Sequence, residues 1–265
     1  MSKIQQTWIK PPKDKPWVRI FVEDMDGEKW RGLTVTERRV WDALACQHFR
    51  YFQRDNGDLQ VSYTGFKRSG ALSRESVAAA IRKMRQNGMI KTRPGINPDP
   101  YLKAPSLYSL SMYEKREGVI AHANKQFVWL PIEVMESAAW RRLSINARRV
   151  MDRLLIENMR HNGELNGKLR VTYDQLIGHG IGRRFVAPAL KELTDSGFVT
   201  IKKGHRPQKD YARINLYRLN FYGTIDGPAI WEADPETNVI DMPSTAQRTS
   251  KKEVLCNDSR SAKAI

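Results

Sequence analysis

An internal duplication runs through most of this chain. Residues of the first part match residues 110 positions later without a gap, and the offset becomes 109 after a single deletion. Matching pairs include Trp30 and Trp140, Arg38 and Arg148, Gly57 and Gly167, Tyr63 and Tyr173, and Gly88 and Gly197. Self-similarity at a fixed spacing predicts that one structural unit occurs twice.

The duplication also predicts the domain organisation. Residues 17–113 form the first copy and residues 127–222 the second copy, with a charged linker at residues 114–126. Residues 1–16 are polar, basic and proline-containing, which predicts a flexible arm. Residues 223–265 are predicted to be mostly disordered, because they lack apolar periodicity and are rich in Ser, Thr, Asn, Asp and Lys.

Each copy begins with a helix whose start is marked by a hydroxyl side chain. Thr34 and Ser144 are the expected N-caps, and an apolar pattern of helical period follows each of them. An Asn-Gly turn and a short extended Leu-x-Val segment come next, then a second helix. In the second copy Thr172 and Gln175 have the spacing of a capping box.

A third helix follows Gly70 in the first copy and Gly180 in the second, and each ends at a glycine, Gly88 or Gly197. Glycine at this place suits the left-handed residue that closes many helices. Two apolar residues then open a strand, and a Lys- and Arg-rich loop precedes a closing strand. Helix, short strand, two helices and a hairpin with a basic tip is the order of a winged helix domain.

The segments that join the third helix to the hairpin carry a family resemblance. Residues 82–91 (RKMRQNGMIK) and 190–199 (LKELTDSGFV) resemble the helix ending of winged helix-turn-helix regulators, in which a glycine precedes two hydrophobic residues. The resemblance implies an α+β, mainly helical fold with two winged helix-turn-helix domains in tandem. It also implies a third helix that enters the major groove of DNA and a wing beside the backbone. Two such domains in one chain also resemble plasmid replication initiators.

The helical repeat predicts which residues of the third helix face DNA, because the apolar stripe faces the core. In the first copy these are Arg74, Glu75, Ser76, Ala79, Arg82 and Gln86; in the second they are Arg183, Arg184, Phe185, Pro188 and Lys191. Arg74 is placed to form paired hydrogen bonds with a guanine. Glu75 stands where the second copy has Arg184, so we expect two unlike half-sites. Pro188 suggests that the second recognition helix starts near Phe185.

The hairpin tips supply the expected phosphate contacts. The basic wing residues are Lys91, Arg93 and Lys103 in the first copy and Lys202, Lys203, His205, Arg206 and Lys209 in the second.

Two other residue groups are assigned structural roles. Arg38-Arg39 and Arg148-Arg149 are expected on a charged outer face of the first helix, with a stabilising partner such as Asp42 or Asp152. The tryptophans at positions 30, 41, 129 and 140 are expected in the core, because they recur beside apolar repeat positions.

Charge and composition narrow the function. The chain has 45 Lys and Arg against 29 Asp and Glu, a net charge of +16 that suits a polyanion. The five histidines share no metal-ligand spacing, and the glycine-rich residues 178–182 sit between two predicted helices, which is typical of a helix-turn-helix corner. We therefore expect no catalytic site, no metal and no cofactor.

The cysteines and the lack of a targeting segment predict the cellular location. The two cysteines, Cys46 and Cys256, do not suggest a disulfide framework, and neither a signal-peptide core nor an apolar membrane span is found. A cytoplasmic, nucleoid-associated protein is expected.

The expected function is sequence-specific binding of double-stranded DNA by a transcriptional regulator of a bacterial or mobile-element genome. Two alternatives stay open: a replication initiator that binds origin repeats, and an adaptor in which one winged domain binds protein. The first copy, with Glu75 and a proline-rich wing, is the candidate for the adaptor role. A homodimer, or a partner from the replication or transcription machinery, is possible in each case.

Overall fold

The computed structural model describes residues 11, 13, 15–50, 56–68, 70, 73–95, 106–114, 125–202 and 215–223. The predicted tail after residue 223, most of the linker and most of the amino-terminal arm lie outside these residues. The described part is α+β, with helices and small antiparallel sheets, which confirms the predicted fold class at this level.

The elements of the first copy follow the predicted order, with a strand and two short helices added at the start and with only an isolated bridge in place of the predicted short strand. They are β1 (Trp17–Phe21), α1 (Val22–Asp26), α2 (Glu28–Arg31), α3 (Val35–Arg50), α4 (Tyr63–Arg68), α5 (Arg74–Gln86), β2 (Ile90–Pro94), β3 (Ser106–Leu110) and a 3₁₀ turn at Ser111–Tyr113. β2 and β3 pair antiparallel, and Leu59 forms an isolated bridge to Tyr108 of β3.

The second copy repeats this order. Its elements are β4 (Phe127–Pro131), α6 (Ile132–Glu136), α7 (Ala138–Arg142), α8 (Ile145–Arg160), β5 (Leu169–Arg170), α9 (Tyr173–Gly178), α10 (Arg183–Asp195), β6 (Val199–Lys202) and β7 (Leu216–Leu219). The small sheet has the order β5-β7-β6, with both pairs antiparallel.

Short-range contacts fix the helix ends where the sequence predicts them. Thr172 and Gln175 form both bonds of a capping box at the start of α9, and Ser144 accepts a hydrogen bond from the backbone N–H of Ala147. Gly88 and Gly197 have φ angles of 68° and 75°, the left-handed conformation expected after a helix.

The buried apolar side chains of both copies form one continuous core. The four tryptophans at positions 30, 41, 129 and 140 belong to it, as predicted. Trp30 and Trp41 pack edge to face, with ring centroids 4.7 Å apart. Because each copy buries part of its apolar surface against the other, the two copies share one packing unit.

A two-stranded ribbon joins the copies. β1 of the first copy pairs antiparallel with β4 of the second, so that Val18 lies opposite Leu130 and Ile20 lies opposite Val128. The duplication makes β1 and β4 equivalent strands. The central pair of the register joins Arg19 and Trp129, which are themselves equivalent residues. An antiparallel pair of equivalent strands has a local two-fold axis through its centre. The copies are therefore related as the subunits of an isologous dimer are.

Reciprocal buried hydrogen bonds follow the same two-fold relation. Trp30 Nε1 donates to Asp152 Oδ2 at 2.9 Å, and the equivalent Trp140 Nε1 donates to Asp42 Oδ2 at 3.0 Å. Arg38 forms an ion pair with the same Asp152 carboxylate. In the contact related by the two-fold axis, the Nη1 atom of Arg148 lies 2.6 Å from Asp42 Oδ2.

These contacts correct the expectation that Arg38 and Arg148 face solvent. Each residue is only 3% exposed, and its carboxylate partner lies on the other copy instead of one helical turn away. A buried guanidinium needs a paired carboxylate, because burial without a partner is costly. Burial lowers the pKa of Arg38, while the Asp152 carboxylate acts in the opposite direction.

Candidate nucleic-acid interface

The third helix of the first copy, α5, presents one polar face to solvent. Val77, Ala80 and Met84 form its buried stripe, and the helix packs against α3. Ser73 caps the start, since its side chain accepts a hydrogen bond from the backbone N–H of Ser76 at 3.2 Å. With the apolar stripe turned inward, the opposite face is free to meet a partner.

The predicted contact residues of α5 lie on that outer face. Arg74, Glu75, Ala79, Arg82 and Gln86 are exposed. Ser76 is half-buried, and its hydroxyl donates to the carbonyl of Ser73 at 2.9 Å, so this side chain contributes to the helix cap. The pKa of the Glu75 carboxyl is lowered by a backbone hydrogen bond and by Ser73, which keeps it ionised.

The equivalent helix of the second copy, α10, is more basic at its start. Val186, Ala189, Leu190 and Leu193 are buried against the core. Arg183, Arg184, Phe185, Pro188 and Lys191 are all exposed, as the helical repeat predicts. Lys191 Nζ lies 2.6 Å from Asp195 Oδ2 in an ion pair one turn along the helix.

The start of α10 differs from the prediction. The helix begins at Arg183, two residues before Phe185, and Pro188 lies inside it. The proline ring removes one backbone donor, the N–H that would otherwise bond the carbonyl of Arg184. Packing of the buried stripe holds the helix together across this missing bond.

Arg183 and Arg184 occupy the first two positions of α10, and Gly182 supplies no side-chain cap. Positive charge at a helix N-terminus is unfavourable, because the macrodipole places partial positive charge there. Backbone N–H groups that the first turn leaves without helical partners attract anions. Two arginines at such an end therefore form a surface suited to phosphate oxygens.

The described residues include only part of the two predicted wings. Lys103, Lys203, His205, Arg206 and Lys209 lie outside the described residues, whereas Lys202 is exposed at the end of β6. In the first copy Lys91 Nζ lies 2.7 Å from Glu114 Oε2, and Arg93 pairs with Asp58. Both described basic residues of the first wing thus have a carboxylate partner.

Tyr63 and Tyr173 are exposed tyrosines at equivalent positions, and they were missed in the sequence reasoning. They are 43% and 39% exposed at the first positions of α4 and α9. The guanidinium of Arg74 stacks over the Tyr63 ring at 4.9 Å. The internal repeat could have identified them. It places the two tyrosines at equivalent positions, each directly after a helix cap and outside the apolar stripe.

Contacts between the copies anchor the corner that precedes α10. Arg31 Nη1 donates to the carbonyl of Gly178 at 3.1 Å, and Arg149 donates to the carbonyls of Arg31 at 2.8 Å and Gly180 at 2.9 Å. Gly178 ends α9, and the remaining residues of the glycine-rich segment, 179–182, lie between α9 and α10, as predicted. The first copy therefore helps to fix where α10 starts.

His179 is buried in the same corner. Its Nδ1 atom lies 3.6 Å from Asp26 Oδ1 of the first copy. Burial lowers the pKa of His179, and Arg31 and Arg153 add to this effect, while Asp152 and Asp26 oppose it. Burial thus favours the neutral imidazole, whereas the contact with Asp26 favours the charged form.

Within the described ranges, no group of three or more His, Cys, Asp or Glu side chains is arranged to hold a metal ion. The helices of the same ranges include none with the length and apolar character needed to cross a membrane. Cys46 is a free, buried thiol whose pKa is raised by burial.

Comparison with known proteins gives no family. No protein-family model matches the chain, and neither the curated proteins nor the solved structures compared with it yield a match.

Proposed function

We propose that this protein binds double-stranded DNA sequence-specifically through two winged helix-turn-helix units, as a transcriptional regulator of a bacterial or mobile-element genome. One observation carries the proposal: two equivalent 13-residue helices, α5 and α10, each expose a polar face with arginine at its start. Each of these helices follows a short helix and precedes an antiparallel hairpin, the order of a winged helix unit.

The electrostatics of α10 support nucleic acid as the partner. Arg183 and Arg184 at an N-terminus without a side-chain cap oppose the macrodipole, and a phosphate group would relieve this opposition. The net charge of +16 provides long-range attraction for the same polyanion. Charge alone gives binding to any duplex, so sequence specificity rests on the exposed helix faces.

The two-fold relation between the copies defines the expected DNA site. Recognition helices related by a two-fold axis meet half-sites in inverted orientation. Glu75 and Arg184 occupy equivalent positions and carry opposite charge, so the two half-sites are unlike at the bases that face these two residues. A single chain thus reads an imperfect inverted repeat.

Selection from a random duplex library at about physiological salt tests the proposal on the full chain. The intact protein should enrich a two-part inverted motif. The variant Arg183→Ala/Arg184→Ala/Lys191→Ala should lose one half, and Arg74→Ala/Arg82→Ala/Gln86→Ala should lose the other, with about 1–3 kcal/mol lost for each base-specific contact removed.

Arg160→Ala provides the matched control. Arg160 is exposed at the last position of α8 and belongs to neither α5 nor α10. Its replacement should leave the selected motif unchanged. No enrichment by the intact protein would refute specific binding. Two half-sites in the same orientation would refute the role assigned to the two-fold relation.

The adaptor role for the first copy has an observation in its favour. Lys91 and Arg93 are paired with Glu114 and Asp58, which reduces the positive charge that this wing offers to phosphates. If the first copy binds protein instead, the triple variant in α5 will select the same motif as the intact chain. That motif will then have one half only.

A further inference from the structure

A largely apolar cavity of about 230 Å³ lies in the second copy, away from the exposed face of α10. It is bounded by β4, the end of α8 and Tyr222, which follows β7. Its walls include the side chains of Phe127, Trp129, Leu155, Met159 and Tyr222, and Pro11 of the amino-terminal arm also reaches it. Aromatic and aliphatic walls of this kind are typical of small-molecule sites.

One polar residue, Asn158, also lines the cavity. It is 6% exposed, and its Oδ1 atom is enclosed and has no hydrogen-bond partner among the described residues. Because this oxygen is not open to the cavity, an occupant would be held by apolar contacts.

The first copy fills the equivalent position with its own rings. The equivalent residues are Ala45, His48, Phe49 and Tyr113 in the first copy and Leu155, Asn158, Met159 and Tyr222 in the second. His48 stacks on Tyr113 with ring centroids 5.1 Å apart, and the Phe49 ring meets Tyr113 at 5.1 Å. Two of these rings are replaced in the second copy by the non-aromatic side chains of Asn158 and Met159. Leu155 is larger than Ala45, but it supplies no ring.

We propose that this cavity binds a small, planar, mostly apolar molecule. An apolar cavity of about 150 Å³ accepts benzene, so about 230 Å³ suits a bicyclic ring. Trp129 and Tyr222 pack against each other with centroids 4.6 Å apart and give the ligand an aromatic wall.

The site also touches the ribbon that joins the copies. The hydroxyl of Tyr222 donates to the backbone carbonyl of Trp129 in β4, and β4 pairs with β1 of the first copy. The ligand therefore contacts both the chain that leaves β7 and the strand that holds the copies together.

Titration of the full chain with indole, followed by NMR or calorimetry, tests the proposal. Indole is a bicyclic ring of suitable size, and it should bind saturably with a dissociation constant below about 1 mM.

A variant of the cavity wall tests where indole binds. Asn158→His/Met159→Phe places the residues of the first copy in the second and should weaken indole binding more than 10-fold by filling the cavity. Unchanged binding in this variant would place indole elsewhere and overturn the proposal, as would the lack of saturable binding up to about 1 mM in the intact chain. Binding that occurs only after removal of residues 1–10 would also overturn it and assign the cavity to the amino-terminal segment of the chain.

Discussion

Replacement of Asp152 by alanine is the sharpest test of how the two copies are joined. The carboxylate accepts from Trp30 Nε1 at 2.9 Å and pairs with Arg38, and all three residues are buried. Removing it leaves a buried guanidinium and a buried indole N–H without their acceptor. Breaking a buried ion pair costs about 3–5 kcal/mol and an unsatisfied buried donor about 1–3 kcal/mol. Because both losses arise from one carboxylate, we expect about 4 kcal/mol in total.

This amount is a large fraction of the stability of an ordinary domain, about 5–15 kcal/mol. Urea unfolding followed by circular dichroism measures it as a lower midpoint. Asp42→Ala should cost a similar amount, since Asp42 makes the reciprocal contacts with Trp140 and Arg148. Both variants should unfold in a single transition if the copies share one core.

An exposed ion pair provides the control. Asp58→Ala removes the partner of Arg93 at the surface and should cost less than about 1 kcal/mol. The double variant Arg38→Met/Asp152→Leu should recover most of the lost stability, because neither charge then remains buried alone. A loss of less than about 1 kcal/mol in Asp152→Ala would refute the reasoning.

Three further predictions concern the second copy. Burial lowers the pKa of His179 below its ordinary value of about 6.5, so the unfolded chain binds more protons near pH 6 and stability falls as the pH decreases from 7 to 5; His179→Gln should flatten this dependence in urea midpoints measured across that range, and an unchanged slope would contradict it. Pro188→Ala restores a donor for the carbonyl of Arg184 inside α10 and should raise stability by about 1–2 kcal/mol in the same assay; a lower midpoint would mean that the proline is not strained. Gly197→Ala places a Cβ atom at a φ of 75° with open space around it, so backbone conformation alone should cost about 1 kcal/mol, and a neutral effect on thermal unfolding would argue against that conformation.

Much of the local structure could be predicted from the sequence, because the contacts that define it join near neighbours. The capping box of Thr172 and Gln175 spans three residues, and Ser144 caps α8 over the same distance. The exposed faces of α5 and α10 follow from the helical repeat in the same way. The duplication itself predicted that every element found once would be found twice. Among the described residues the two element orders agree, except that the counterpart of β5 is an isolated bridge at Leu59 and the 3₁₀ turn at Ser111–Tyr113 is not repeated.

Long-range contacts explain what the sequence reasoning missed. Arg38 has a plausible partner four residues away in Asp42, yet the fold pairs it with Asp152, 114 residues away. A charged residue four positions from an opposite charge on a helix predicts an exposed ion pair. Arg38 is buried only because the second copy packs against this face. The cavity beside Asn158 is also a tertiary feature, since its walls come from separate segments and its volume depends on how they pack.

The sequence by itself thus determined the repeated unit, most of the helix ends and the sides of α5 and α10 that face outward. These features depend on backbone sterics and on hydrogen bonds over three or four residues. Tertiary structure alone decided that β1 pairs with β4, that the copies exchange arginine and aspartate partners across a two-fold axis, and that one copy has a cavity where the other has rings. Those outcomes depend on which surfaces meet, and residue spacing along the chain does not encode that information directly.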